Sequence, residues 1–170
     1  MKKTLIKLSC IMISILLCIV ITGCNELSRS KAKKVVLERI NSDNHLKNLF
    51  ISYIAYNQGI QVSGSELEQA KLLEQAGYVT ITYNSPVRYD MMYPLPKIEP
   101  YLFIEGYNAR LIVATLNDIN ITGISGSDNY KKVEYICFYS ITEVGQLLSY
   151  QGNLSFTSSM SLKKYDDGWR

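Results

Sequence analysis

The chain has 170 residues, 47% of them hydrophobic, with 18 basic and 15 acidic side chains and a net charge of +3. That charge belongs to its start: Lys2, Lys3 and Lys7 meet no acid before residue 24, and from there on 15 basic residues face 15 acidic ones. A neutral chain has no global field to steer nucleic acid or strongly acidic ligands, so charge-driven nucleic-acid binding is excluded, while the length allows one good core or two small ones.

Residues 1–23 have the layout of a secretory signal: a basic start, an apolar stretch over 8–21, and a small residue before a cut. The apolar stretch is 14 residues long, short of the roughly 20 that cross a bilayer as a helix. It runs into Ile21-Thr22-Gly23-Cys24, an aliphatic residue, a small residue, a glycine and a cysteine in the order of a lipobox. The chain thereby resembles a bacterial lipoprotein precursor. The resemblance implies that Cys24 receives a diacylglycerol, that residues 1–23 are removed as the signal peptide, and that Cys24 becomes an acylated first residue. Two acyl chains on one residue supply the two signals that stable anchoring needs. Asn25 stands where an aspartate, in enterobacterial relatives, favours retention in the inner membrane, so the expected address is the outer membrane facing the periplasm.

A tether is expected over 24–30. Arg29, Lys31, Lys33, Lys34 and Arg39 cluster after the anchor with only Glu38 opposing them. They read either as a solvated helical face or as a patch resting on anionic head groups, worth about 1 kcal/mol per charge close to such a surface.

Helical signals dominate residues 31–85. A first helix is expected over 31–40, stopped by Asn41-Ser42-Asp43-Asn44, whose side chains compete for backbone hydrogen bonds. Asp43 is placed to cap a second helix carrying Leu46, Leu49, Phe50, Tyr53 and Ile54 at helical spacing and ending near Gly59. A third begins at the capping-box pattern Ser63-Gly64-Ser65-Glu66, turns Leu67, Ala70, Leu73 and Ala76 inward, and closes at Gly77. A strand over 78–83 follows. Helix, short turn, helix and then a strand after Leu72-Leu73-Glu74-Gln75-Ala76-Gly77-Tyr78-Val79 resembles part of a winged helix-turn-helix. In that family the second helix of the pair reads DNA, but here it offers Glu66, Glu68 and Glu74 against Lys71, so a packing unit or protein-docking surface is expected instead.

All four prolines (Pro86, Pro94, Pro96, Pro100) fall in the next stretch. Residues 86–100 are therefore expected to be neither helix nor central strand. The stretch reads as a connector packed on the core, or as an exposed ribbon on which Tyr89, Met91, Met92, Tyr93 and Tyr101 form a partner-binding surface, since flat amphipathic rings add contact at low entropy cost.

Residues 101–170 read as an antiparallel β subdomain, with strands over 101–105, 110–116, 119–124, 132–141 and 154–165. A turn cluster spans 123–129 and a short helical turn 143–149. Lys163-Lys164-Tyr165-Asp166-Asp167-Gly168-Trp169-Arg170 resembles the last strand of small secreted bacterial α+β domains of unknown function, with the only tryptophan packing back on the sheet. The fold class expected is α+β, an N-terminal helical, winged-helix-like part followed by a C-terminal antiparallel β-sheet.

Catalytic motifs are weak. Ser161-Leu162-Lys163-Lys164 and Ser28-Arg29-Ser30-Lys31 match serine-lysine spacing, but one lies in a strand pattern and the other in the tether, and the companion motifs of that chemistry are missing. No paired histidines for zinc and no phosphate-cradling glycine loop occur, so no metal and no cofactor is expected. Cys10 and Cys18 leave with the signal and Cys24 is lipidated, which leaves Cys137 without a disulfide partner; in its strand-like run it reads as a small buried hydrophobe. The 13 tyrosines fit half-buried strands or a contact surface. The functional expectation is a lipid-anchored envelope protein that binds an envelope protein or glycan without catalysis; the alternative is a periplasmic small-ligand carrier or enzyme with a tyrosine-lined pocket.

Overall fold

The structure, a computed structural model, describes residues 26–56, 59–83 and 90–170. The fold is mixed α and β, built on a large antiparallel sheet. The lipobox, Cys24, Tyr89 and Pro86 lie outside the described residues.

Helix α1 (Arg29–Asn41) forms where a helix was expected, with Ser28 as its N-cap accepting from the Lys31 N–H. Its apolar stripe, Ala32, Val36 and Ile40, is buried at the three- to four-residue spacing of one helix face. The expected tether is shorter than 24–30, because Leu27 is already packed into the core at 6% exposure.

The second helix differs from expectation. Asp43 caps only the four-residue α2 (Asn44–Lys47), and the chain then extends as strand β1 (Asn48–Tyr56). The apolar residues of this run fit a helix at 46, 49, 50, 53 and 54, yet they also alternate as Leu49, Ile51, Tyr53 and Ala55, and all four of these join one core. The aromatic and β-branched content of the run fits a strand better, and pairing with a distant strand decides the matter. The helix-turn-helix order is thus replaced by helix, strand, strand, helix: β2 (Gly59–Val62) precedes α3 (Ser65–Gln75) and β3 (Val79–Thr82).

The end of α3 follows the sequence closely. Gly77, at φ +74°, donates to the Glu74 carbonyl, and Tyr78 to the Leu73 carbonyl, the paired bonds of a Schellman cap. Half of the expected capping box is present at its start, where the Glu66 carboxylate accepts from the Ser63 N–H.

The proline-rich stretch is corrected as well. Asp90–Pro94 is strand β4, lying between β2 and β3 inside the sheet. Pro94 sits at its last position and Pro96 at the first turn of a 3-10 helix (Pro96–Tyr101), places that need no donated N–H. The remaining elements are β5 (Leu102–Glu105), β6 (Asn108–Gly126), β7 (Tyr130–Ile141), α4 (Glu143–Leu147), β8 (Ser155–Tyr165) and β9 (Gly168–Trp169). The two strands expected over 110–124 are one long strand, interrupted by register shifts between Leu116 and Asp118 and between Ile121 and Gly123.

One nine-stranded sheet, in the order β3-β4-β2-β1-β6-β7-β8-β9 with β5 also on β6, runs through the regions expected as separate helical and β subdomains. Two cores line it. The first gathers Tyr53, Ile60, Leu73, Met92, Ile98, Leu111 and Val113 under α3, α4 and the 3-10 helix. The second gathers Leu27, Val36, Ile40, Ile119, Val133, Leu162 and Trp169 around α1, so the tryptophan does pack back on the sheet.

Candidate functional site at the end of α1

Ala109, Leu111 and Val113 of β6 turn into the core under α3 and α4, so Arg110 and Ile112, which alternate with them, lie on the opposite face, the side on which Leu116 further along the strand meets the α1 core. Cross-strand pairing of Arg110 with Phe103, and of Ile112 with Phe50, puts both phenylalanines on that face too. Helix α1 stops at Asn41, and the next helix on the chain is only the four-residue α2.

The turn that follows brings in a histidine. Asp43 Oδ1 accepts from the His45 N–H at 2.8 Å, which starts α2. The Tyr139 hydroxyl donates to the Leu46 carbonyl at 2.8 Å and Asn48, only 7% exposed, donates from Nδ2 to the Asn44 carbonyl at 3.1 Å. These bonds hold the short helix over the sheet. The His45 ring then sits edge-on to Phe103 at 5.8 Å and tilted to Phe50 at 6.2 Å. Arg110 Nη1 is 2.7 Å from His45 Nδ1. A guanidinium only donates, so Nδ1 is the acceptor and the ring carries its proton on Nε2.

A groove of about 690 Å³ opens beside this cluster, lined by Arg39, Ser42, Asp43, Asn44, His45, Leu46, Phe103, Met160 and Ser161. Phe103 on β5 and Met160 on β8 belong to strands that do not pair with each other, yet both line this one cleft. The lining combines a fixed cation, a carboxylate, an imidazole, small hydroxyl and amide groups, an aromatic ring and a thioether. Such a set can orient a polar, partly apolar ligand by hydrogen bonds and ring contact. A second cleft of about 450 Å³ lies at the other end of α1, lined by Lys31, Asn129, Lys164 and the turn from Tyr165 to Trp169.

The sequence-predicted surface is not assembled. Met91 and Met92 are 3% and 1% exposed within β4, Tyr93 is half-buried, and half-buried Tyr101 stands edge-on to Tyr78 at 6.2 Å. None of the four lines either cleft. A ribbon so placed in the sheet offers its methionines to the core, which corrects the exposed-surface reading of this segment. Cys137 is buried, and burial pushes its thiol up against a smaller opposing effect of the Tyr139 hydroxyl. Ser161 and Lys164 lie on strand β8, and Ser28 is a helix cap. Among the described residues no three His, Cys, Asp or Glu side chains converge as metal ligands, and no helix is long and apolar enough to cross a membrane.

His45 and Arg110 were not singled out together by the sequence, and the one available signal was a lone histidine directly after a cap cluster. The chain matches no protein-family model, no curated protein and no solved structure.

Proposed function

We propose that this chain is a bacterial lipoprotein, anchored through acylated Cys24 in the cell envelope, on an outer membrane facing the periplasm, and that it binds an envelope protein or glycan without catalysis through the groove at the end of α1. The observation that carries the binding reading is the His45-Arg110 pair, fixed beside an open groove on a stretch of sheet that α1 does not cover. No tyrosine lines that groove, so the alternative of a carrier or enzyme with a tyrosine-lined pocket has less support.

The anchor sets the working distance. Since Leu27 is packed, three residues lead from Cys24 to the fold, which at up to about 3.6 Å each allow roughly 10 Å of reach. Arg29, Lys31 and Lys34 are exposed at the same end and can meet anionic head groups. The winged-helix likeness reduces to α3 and β3, which we read as a packing unit. Leu73 and Ala70 are buried there, and the acidic Glu66 and Glu68 of its first turn repel phosphate.

The test is capture from intact cells: crosslink the full chain in place, solubilise, and identify what copurifies, beside a Cys24→Ser chain and an Arg110→Ala chain. One dominant envelope protein or glycan, lost with Arg110→Ala, supports the reading. Recovery of the unaltered chain in the soluble fraction would sink the anchor, and equal capture by the Arg110→Ala chain would sink the groove.

A further inference from the structure

Strand β8 pairs with β7 from Ser155 to Lys163 along one edge. On its other edge, β9 takes up only the end of the strand, where Lys163 and Arg170 exchange backbone hydrogen bonds. Because antiparallel strands turn alternate residues to alternate edges, the N–H and C=O groups of Ser155, Thr157, Ser159 and Ser161 point the same way as those of Lys163, outward, and among the described residues no strand receives them; the Ser155 N–H donates locally to Asn153 Oδ1 at 3.0 Å, a bond that strand pairing would replace. Residues 155–159 are exposed.

Edges of this kind are normally blunted by a charge, a proline or a bulge. Residues 154–162 contain no charge and no proline, and the β7–β8 register has no shift. Their sequence, Leu-Ser-Phe-Thr-Ser-Ser-Met-Ser-Leu, instead reads almost the same in both directions about Ser158. Laid antiparallel on itself with Ser158 on the axis, it sets Leu154 against Leu162, Ser155 against Ser161, Phe156 against Met160 and Thr157 against Ser159. That one register also places every outward-pointing residue opposite another outward-pointing residue, so each such pair can exchange two backbone hydrogen bonds.

We propose that β8 is the contact of a two-fold dimer, in which the free edges of two copies join their sheets antiparallel about Ser158. The contact is isologous, as a closed dimer requires. Phe156, 40% exposed here, is covered by Met160 of the second copy. Since Met160 lines the groove at the end of α1, each groove then gains an aromatic wall from the other copy. Lys163 is already paired with Arg170 on this edge, so the joined segment runs from Ser155 to Ser161 and holds no charge.

The register gives a sharp test, independent of Cys24 acylation and of any groove ligand. On the axis, Ser158 faces its own copy in a non-hydrogen-bonded pair with Cα atoms about 4.5 Å apart, within disulfide range. Ser159 faces Thr157, and its own copy is about 7–8 Å away on the diagonal. The full chain carrying Ser158→Cys or Ser159→Cys is oxidised in intact cells beside the unaltered chain, whose yield accounts for the native cysteines, and run on non-reducing gels. A disulfide dimer forming about tenfold faster with Ser158→Cys than with Ser159→Cys is expected. Equal rates, or no linked dimer with either variant, overturn the proposal. In detergent, light scattering should give twice the chain mass, and Ser158→Lys, which opposes like charges on an exposed position, should raise the dissociation constant about tenfold. A monomer before substitution, or a dimer indifferent to Ser158→Lys, also overturns it.

Discussion

Val113 and Leu116 stand three residues apart on β6 and point to opposite sides of the sheet, Val113 into the core under α3 and α4, Leu116 against the core around α1. Two hydrophobic clusters therefore share one strand and its hydrogen-bond ladder. A strand that serves both cores cannot leave one without disturbing the other, so the chain should unfold in a single cooperative step. Leu73→Ala, in the first core at 0% exposure, should cost about 2–5 kcal/mol. Trp169, the only tryptophan, reports on the second core. Denaturation followed by its fluorescence should shift with Leu73→Ala as far as the far-ultraviolet dichroism does. An unmoved Trp169 transition would show two independent units.

Alkaline pH should weaken the fold through two tyrosines, the buried Tyr53 and the partly buried Tyr139. Burial, helped by the Glu66 carboxylate, pushes the Tyr53 hydroxyl up to about 12, and burial with the nearby Cys137 thiol pushes Tyr139 up to about 12. Both start from 10.0. A raised value means the folded chain holds these protons longer than the unfolded one, so the contribution is complete below pH 10 and disappears as pH rises through about 12. Urea midpoints measured at neutral pH, at pH 9 and at pH 11.5 should fall only over the last interval beyond what a chain carrying both Tyr53→Phe and Tyr139→Phe shows. An equal fall in the doubly substituted chain would remove the explanation.

Gly145 is tied to β6 by space. A Cβ there would run into the Val113 carbonyl oxygen and Ile141 Cγ2, and the first of these belongs to the backbone that also accepts from Thr142 N–H. The clash cannot be relieved by a side-chain rotation. Gly145→Ala should thus cost about 3 kcal/mol, the upper part of the range for overpacking. Thermal unfolding checks it, and a loss below about 1 kcal/mol would mean that α4 shifts freely on the sheet.

Much of this fold could be read in the residues where the signal is local. Gly77 ends α3, the pattern 133, 135, 137 marks β7, and Asp166-Asp167-Gly168 turns the chain into β9. Reading failed where a distant partner decides. Residues 46–54 fit a helical pattern and from Leu49 an alternating one, and only pairing with Asn108 to Thr115 on β6 makes 48–54 a strand. Met91 and Met92 looked like surface because they lie in the proline-rich stretch, but Pro94 falls at the strand end and Pro96 and Pro100 beyond it, leaving the two methionines free to pair with β2 and β3. The His45-Arg110 pair spans 65 residues, and no spacing rule connects positions so far apart.

Arg110→Ala separates binding from stability. The pair with His45 is exposed, and exposed polar pairs contribute only about 0–1 kcal/mol, so the melting temperature should move by a few degrees at most. What the substitution removes is position: Nδ1 of His45 loses its donor, the ring is held only by its contacts with Phe50 and Phe103, and the tautomer is no longer fixed. Arg110→Lys keeps the charge but loses the planar fork that reaches the imidazole, so it should behave like the alanine chain. Capture of the partner should therefore drop about tenfold or more in both chains, the equivalent of one lost, well-placed hydrogen bond to a charged group. Capture retained by Arg110→Lys but lost by Arg110→Ala would mean that charge at this place matters and the His45 geometry does not.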